Sequence, residues 1–158
     1  MRRNQKQTIL TAGVIGAVAT FAVFLVYPQI ANASDIAFRQ SWNTIAFETN
    51  DLTQEYQAHE GKWKAGDYDN EEMADIVDSY RPRYQSLVDK AETVDAPDKY
   101  IESRDLLAKA IETEMVSNDH FKNYLLTGDE NELRRSEALL SLSLKYSAEA
   151  DAAVLAAG

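Results

Sequence analysis

The chain has 158 residues, of which 26 are acidic and 16 basic, and its formal net charge is −10. This acidic balance argues against binding nucleic acid or anionic lipid head groups through a basic face. The sequence contains no cysteine, which excludes disulfides, thiolate catalysis, iron–sulfur ligation and covalent haem attachment.

The N-terminal region combines a basic start with a long uncharged segment. Residues 1–7 contain three basic side chains and no acidic one, and residues 8–27 contain no charge. As a helix rising about 1.5 Å per residue, residues 8–27 span the roughly 30 Å core of a bilayer. We therefore expect a retained transmembrane signal anchor in the cell membrane. By the positive-inside rule, residues 1–7 are then cytoplasmic, and residues 28–34 form a membrane-proximal linker on the other side.

A cleaved signal peptide is the alternative interpretation of the same segment. Ala31, Asn32 and Ala33 have the small-x-small form of a cleavage site ahead of Ser34. The apolar run is, however, longer than the roughly 7 to 15 residues of a usual signal-peptide core. Cleavage after Ala33 would release a secreted, soluble protein, whereas retention leaves a single-pass one; both place the bulk of the chain outside the cytoplasm.

Small residues recur along the predicted membrane helix at a spacing of four. Ala12, Gly16 and Thr20 form this stripe, and Gly13 and Ala17 lie beside it. Such a stripe allows a second transmembrane helix to approach closely. It therefore predicts packing against another membrane helix, although small residues are also common in membrane helices that face lipid.

The pattern of the following region is helical throughout. Apolar and aromatic residues step by four and three from residue 38 onward, which predicts a first helix over residues 35–60. We expect Gly61 and Gly66 to bracket a loop, and Asn70 to cap the second helix. Pro82 lies inside that second helix and is expected to kink it or restart it, because proline removes a backbone donor.

Two further helices follow the second one. Pro97 is acceptable as the first residue of the third helix, and Gly128 supplies a residue that can end it in the left-handed conformation. Asp129 and Glu132 then have the spacing of a capping box for the fourth helix. Its predicted inward face consists of Leu133, Leu140, Leu144, Ala148 and Leu155. No strand pattern is present.

The elements together predict an all-α fold, in which an N-terminal transmembrane helix precedes an antiparallel up-and-down four-helix bundle over residues 35–158. An even number of helices places both ends of the bundle on the same side.

The sequence offers no catalytic residues, cofactor site or metal site. Neither His59 nor His120 follows a glutamate by three residues, as carboxylate-bridged metal bundles require. No Gly-x-Ser-x-Gly elbow or phosphate-binding glycine loop is present. We therefore expect a protein without enzymatic activity.

Aromatic residues on the predicted inner faces are candidates for a ligand pocket between the helices. The residues concerned are Tyr80, Tyr84, Tyr100 and Phe121. Ordinary core packing is the other interpretation, because aromatic residues at heptad spacing usually fill a bundle.

One turn resembles a known family. The sequence from Tyr124 to Asp129 resembles the Tyr-Leu-x-Thr-Gly-Asp turn of the four-helix extracytoplasmic sensory domains of prokaryotic receptors. Those domains also follow a membrane helix, and their last helix continues into a second span and a cytoplasmic output domain. Here the chain stops at Gly158, so the resemblance implies a sensory role that needs a partner to carry the signal.

These observations predict an accessory or structural subunit of a membrane protein complex. Its expected partners are the membrane and other membrane-protein subunits or further copies of itself, and not nucleic acid. The alternative is an extracytoplasmic, sensor-like ligand-binding bundle that signals through a partner.

Overall fold

Four long helices make up the part of the chain that the structure, a computed structural model, describes, which is residues 32–158. Helix α1 is Ala33–Ala65, α2 is Asn70–Thr93, α3 is Ile101–Thr127 and α4 is Glu130–Ala156, and a short 3₁₀ turn, Asp98–Tyr100, precedes α3. No strand occurs within residues 32–158. The predicted all-helical bundle of four helices is confirmed.

The predicted membrane helix at residues 8–27 lies outside the described residues. Across residues 32–158, every helix is too polar or too short to qualify as a membrane span.

Cross-helix contacts show that consecutive helices run in opposite directions. In each neighbouring pair, the residue numbers along one helix rise as those of their contact partners on the other helix fall. Contacts of this kind are Glu48–Lys90 and Glu55–Arg83 between α1 and α2, Asn70–Leu125 and Asp78–Lys122 between α2 and α3, and Ala110–Ser143 and Ser117–Ser136 between α3 and α4. The helices therefore alternate in direction along the bundle.

Both ends of the described chain meet at one end of the bundle. Gly158, which follows α4, lies against the guanidinium group of Arg39 in α1. The same guanidinium donates from Nε to the hydroxyl of Tyr100, 2.9 Å away, at the start of α3. We call this region, with Arg39, Tyr100 and Gly158, the terminal end of the bundle. The opposite region, with the turns at Gly66 and Gly128, is the turn end.

Helix α1 is longer than its sequence pattern predicts. The predicted end at residue 60 is wrong, because the helix continues through Gly61 to Ala65 and stops at Gly66, whose φ is +85°. The extra turn is held by Trp63, whose ring contacts Phe121 edge to face and whose Nε1 donates to Asn70. Cross-helix contacts therefore outweigh the low helix propensity of Gly61.

The start of α2 is also one residue away from the prediction. Asp69, and not Asn70, is the N-cap: its side chain accepts from the backbone N–H of Glu72, and the Glu72 carboxylate accepts from the backbone N–H of Asp69. The Asn70 side chain instead donates to the carbonyl of Leu125 in α3. Pro82 does not divide α2, which is continuous past it. The carbonyl that receives no donor from Pro82 is that of Asp78, and Asp78 is exposed to water.

The turns around α3 match the sequence pattern only in part. Pro97 is not in the first turn of an α-helix, because it precedes the 3₁₀ turn. Gly128 ends α3 with a φ of +71°, as expected. Asp129 caps α4 by accepting from Asn131, whereas the Glu132 carboxylate lies 2.7 Å from His120 and does not complete a capping box.

Small residues, and not leucines, form the most buried face of α4. The buried residues of this helix are Ser136, Ser143, Ser147, Ala150 and Val154. Ala148 and Leu155 were expected to face inward but are exposed, Leu155 by 60%. The remaining three of the predicted set are half-buried: Leu133, Leu140 and Leu144.

Serine hydroxyls explain why the small face of α4 turns toward α3. Ser143 donates from its hydroxyl to the carbonyl of Ala110 at 2.8 Å, and Ser117 donates to the carbonyl of Ser136 at 2.7 Å. All four residues are buried. Small side chains let the two backbones approach closely enough for these bonds, and each bond satisfies a hydroxyl that would be costly to bury alone.

Two glycines near the end of α1 should respond oppositely to alanine. Gly61→Ala should raise the free energy of unfolding by about 0.5 to 1 kcal/mol, because Gly61 is helical and an added Cβ meets no atom within 4 Å. Gly66→Ala should lower it by about 1 kcal/mol, because Gly66 is left-handed. Urea unfolding followed by circular dichroism measures both, and equal effects would contradict the observed helix end.

Candidate functional site

The four aromatic residues of the predicted pocket are all buried, with side chains between 0% and 6% exposed: Tyr80, Tyr84, Tyr100 and Phe121. Tyr100 stacks on Phe38 at the terminal end, with ring centroids 4.6 Å apart. Phe121 contacts Trp63 at the turn end, with centroids 5.3 Å apart. Tyr80 and Tyr84 lie between these levels on α2. The structure thus distributes the four along the bundle and does not bring them together, and a ligand pocket at these residues stays a prediction.

The predicted membrane-helix stripe falls on residues 12–20, outside the described residues. Its packing role also stays a prediction.

The most unusual group in the described core is a carboxyl on α3. Glu114 is 4% exposed. Its Oε1 accepts a hydrogen bond from the Thr53 hydroxyl of α1 at 2.7 Å and another from the Tyr84 hydroxyl of α2 at 2.9 Å. A single carboxyl oxygen therefore joins three helices at one level of the bundle.

The surroundings of Glu114 favour its neutral form. Burial raises the pKa of this carboxyl, and the hydrogen bonds from Thr53 and Tyr84 oppose that shift only in part. The nearby carboxylate of Glu60 raises the pKa further. Neither hydrogen-bonding partner carries a positive charge, so the cost of burying an ionised carboxylate here is not offset by an ion pair.

Two more polar side chains accompany Glu114. The Tyr56 hydroxyl is buried without a hydrogen-bond partner among the described residues, and so is the amide nitrogen of Asn118, one helical turn after Glu114. Burial, followed by the charges of Glu60 and Glu114, raises the pKa of Tyr56 well above its ordinary value. We call the five residues Thr53, Tyr56, Tyr84, Glu114 and Asn118 the core polar cluster.

The sequence pattern placed Tyr84 on an inner helix face but did not reveal the role of Glu114. A signal was present: Glu114 occupies the same three-and-four spacing as Leu107, Ile111 and Phe121. An acidic residue in an otherwise apolar series indicates either a break in the face or a buried carboxyl, and here it is the buried carboxyl.

Each of the two histidines has a polar side chain beside its Nδ1. The Nδ1 of His120 lies 2.7 Å from Glu132, and the Nδ1 of His59 lies 3.3 Å from the hydroxyl of Tyr68. Within residues 32–158, no group of three or more histidine and acidic side chains is placed to hold a metal ion.

No protein-family model matches this chain, and no curated protein or solved structure is significantly similar to it.

The hydrogen bond from Thr53 to Glu114 should contribute measurably to stability. Thr53→Val removes a donor from a buried carboxyl and should lower the free energy of unfolding by about 1 to 3 kcal/mol. Thr49→Val is the matched control, because Thr49 is equally buried but donates within its own helix, to Ile45. Urea titrations of both variants at one pH test this, and losses of the same size would show that the bond to Glu114 adds nothing.

Proposed function

We propose that the chain is a non-enzymatic, single-span membrane protein whose helical bundle, held outside the cytoplasm, is an accessory or structural subunit of a membrane protein complex. The geometry of the terminal end is the observation that carries this proposal. Helix α1 begins at Ala33, a few residues after the predicted membrane segment, and α4 returns to the same end. A bundle tethered in this way presents its turn end and its helix flanks to partners.

Exposed apolar side chains on the flanks and ends of the bundle support a protein partner. The most exposed large ones are Phe47 on α1, 61% exposed, Leu126 near the turn end, 54%, and Leu155 near the terminal end, 60%. A partner that covers them would bury apolar area and would meet the negative charge of the bundle with basic groups of its own.

Extraction from the native membrane tests both the tether and the complex. We expect the protein to stay in the membrane pellet when alkaline carbonate is used to extract peripheral proteins. After solubilisation in mild detergent, it should migrate on a native gel together with co-purifying subunits or with further copies of itself. Intact mass and N-terminal sequencing provide the control: a mature start at Ser34 would identify the secreted alternative. Migration as a free monomer without a partner would overturn the proposed complex.

A pair of substitutions tests the small-residue stripe. Ala12→Leu enlarges a side chain within the stripe, and Ala22→Leu makes the same change on the other side of the predicted helix. If another membrane helix packs on the stripe, only Ala12→Leu should weaken the complex on a native gel. Equal behaviour of the two variants would mean that the stripe faces lipid.

The core polar cluster favours a second candidate function, a sensor-like bundle that binds a ligand and signals through a partner. The specific observation is the buried, unpartnered hydroxyl of Tyr56 beside Glu114, since buried polar groups usually have hydrogen-bond partners. A small polar molecule held between the helices would supply one. The resemblance of the turn from Tyr124 to Asp129 to receptor sensory domains supports the same candidate.

Thermal unfolding in the presence of a panel of small polar molecules tests this second function. A ligand should raise the melting temperature of the wild-type protein, and Tyr56→Phe should abolish the rise without lowering the melting temperature of the free protein. Tyr146→Phe, on the half-buried flank of α4, is the matched control and should keep the response. A rise that persists in Tyr56→Phe would place the ligand elsewhere.

A further inference from the structure

The carboxyl of Glu114 is placed to hold a proton in the closed bundle. Its Oε1 already accepts from both Thr53 and Tyr84, which leaves Oε2 as the oxygen that carries the proton of the neutral acid. The contacts come from α1 and α2, while the carboxyl itself belongs to α3. A change in its charge therefore acts on three helices at once.

No neighbouring helix supplies a compensating positive charge at this level in the described structure. Helix α1 presents Tyr56 and the acidic Glu60, and α2 presents Tyr84. Burial raises the pKa of Glu60 as well, and the charge of Lys64, one turn further along α1, opposes that shift only in part.

The remaining helix, α4, contributes no titratable group at this level. Its buried residues on either side are Ser136 and Ser143, which bond to α3 at Ser117 and Ala110. An ionised Glu114 would thus face Glu60 and the phenol hydroxyls of Tyr56 and Tyr84, with no cation to balance it.

We propose that the core polar cluster makes the bundle proton-responsive: the helices pack fully around the neutral carboxyl of Glu114, and loss of its proton loosens α3 from α1 and α2. This regulation goes beyond the proposed membrane-complex function and does not depend on it. In any compartment whose pH varies, the packing of the helices would then vary with that pH.

The sign of the effect follows from the raised pKa of Glu114. Between the ordinary glutamate pKa and the raised value, the folded protein binds more protons than the unfolded chain does. The contribution of this carboxyl is therefore fully retained below the ordinary glutamate pKa and is lost as pH rises through the raised one. For one proton, the ratio of folded to unfolded protein falls by up to about tenfold per pH unit within that range.

Glu114→Gln in the full chain is the central test, because glutamine keeps an acceptor for Thr53 and Tyr84 but has no proton to lose. Glu112→Gln is the matched control on the exposed face of the same helix. Urea midpoints are measured across the pH range from 4 to 9, together with amide hydrogen exchange in α3 after correction for the intrinsic effect of pH. As pH rises, the urea midpoint and the protection of the α3 amides should fall more in the wild-type protein and in Glu112→Gln than in Glu114→Gln.

Parallel pH profiles for the wild-type protein and Glu114→Gln would overturn the proposal. Should Glu114→Gln fail to fold, carbon NMR of the glutamate carboxyls in the wild-type protein decides instead. A carboxyl assigned to Glu114, and distinguished from that of Glu60, that titrates above the exposed glutamates, with α3 exchange increasing over the same pH range, supports it. A full set of carboxyls that all titrate at or below the ordinary value rules it out.

Discussion

Helix α3 contacts each of the other three helices, so its side chains must satisfy three different surfaces at once. Toward α4 it presents small residues, including Ala110 and Ser117, and the two backbones lie close enough for serine hydroxyls to bond across them. Toward α1 and α2 it presents large apolar side chains, interrupted by Glu114. The geometry of the whole bundle follows from this division, because a change of register in α3 would disturb the polar bonds on both sides.

The division also explains why the interior is not uniformly apolar. A close helix pair leaves no room for leucine, so serine fills the space and its hydroxyl must find a carbonyl. The wider space between α1, α2 and α3 admits aromatic rings, and the phenol groups of Tyr56 and Tyr84 bring their own polar atoms into the core. Glu114 accepts from one of these phenols but leaves the other without a partner in the described residues. Hydrogen bonding thus specifies which faces meet.

The sequence predicts the helices well and the face of the last helix poorly. Gly66 and Gly128 end their helices in the left-handed conformation because glycine has no Cβ to clash there, and this is readable from the chain. The end of α1 cannot be predicted from the local sequence, since Trp63 holds the extra turn through contacts with other helices. The prediction of the buried face of α4 is wrong for a related reason. Hydrophobic periodicity follows the leucines, whereas the close contact with α3 requires small residues.

The core polar cluster could be predicted only in part from the sequence. Tyr84 and Asn118 fall on periodic inner faces, but the bond from Tyr84 to Glu114 joins two helices and does not appear in the pattern of either one alone. Glu114 is one of 26 acidic residues, and nearly all of them are expected to lie on the surface. What distinguishes it is the convergence of Thr53 and Tyr84 from two other helices, which depends on how the three helices are aligned in space.

The meeting of Arg39, Tyr100 and Gly158 at one end of the bundle has a practical consequence for labelling. A fluorescent protein or affinity tag fused after Gly158 would stand beside the first turns of α1 and would crowd whatever surrounds them. The turn at Gly66 lies a full helix length away, and Gly66 and Asp67 are exposed there. A short epitope inserted there would leave the crowded end untouched and would report from the opposite extreme of the molecule.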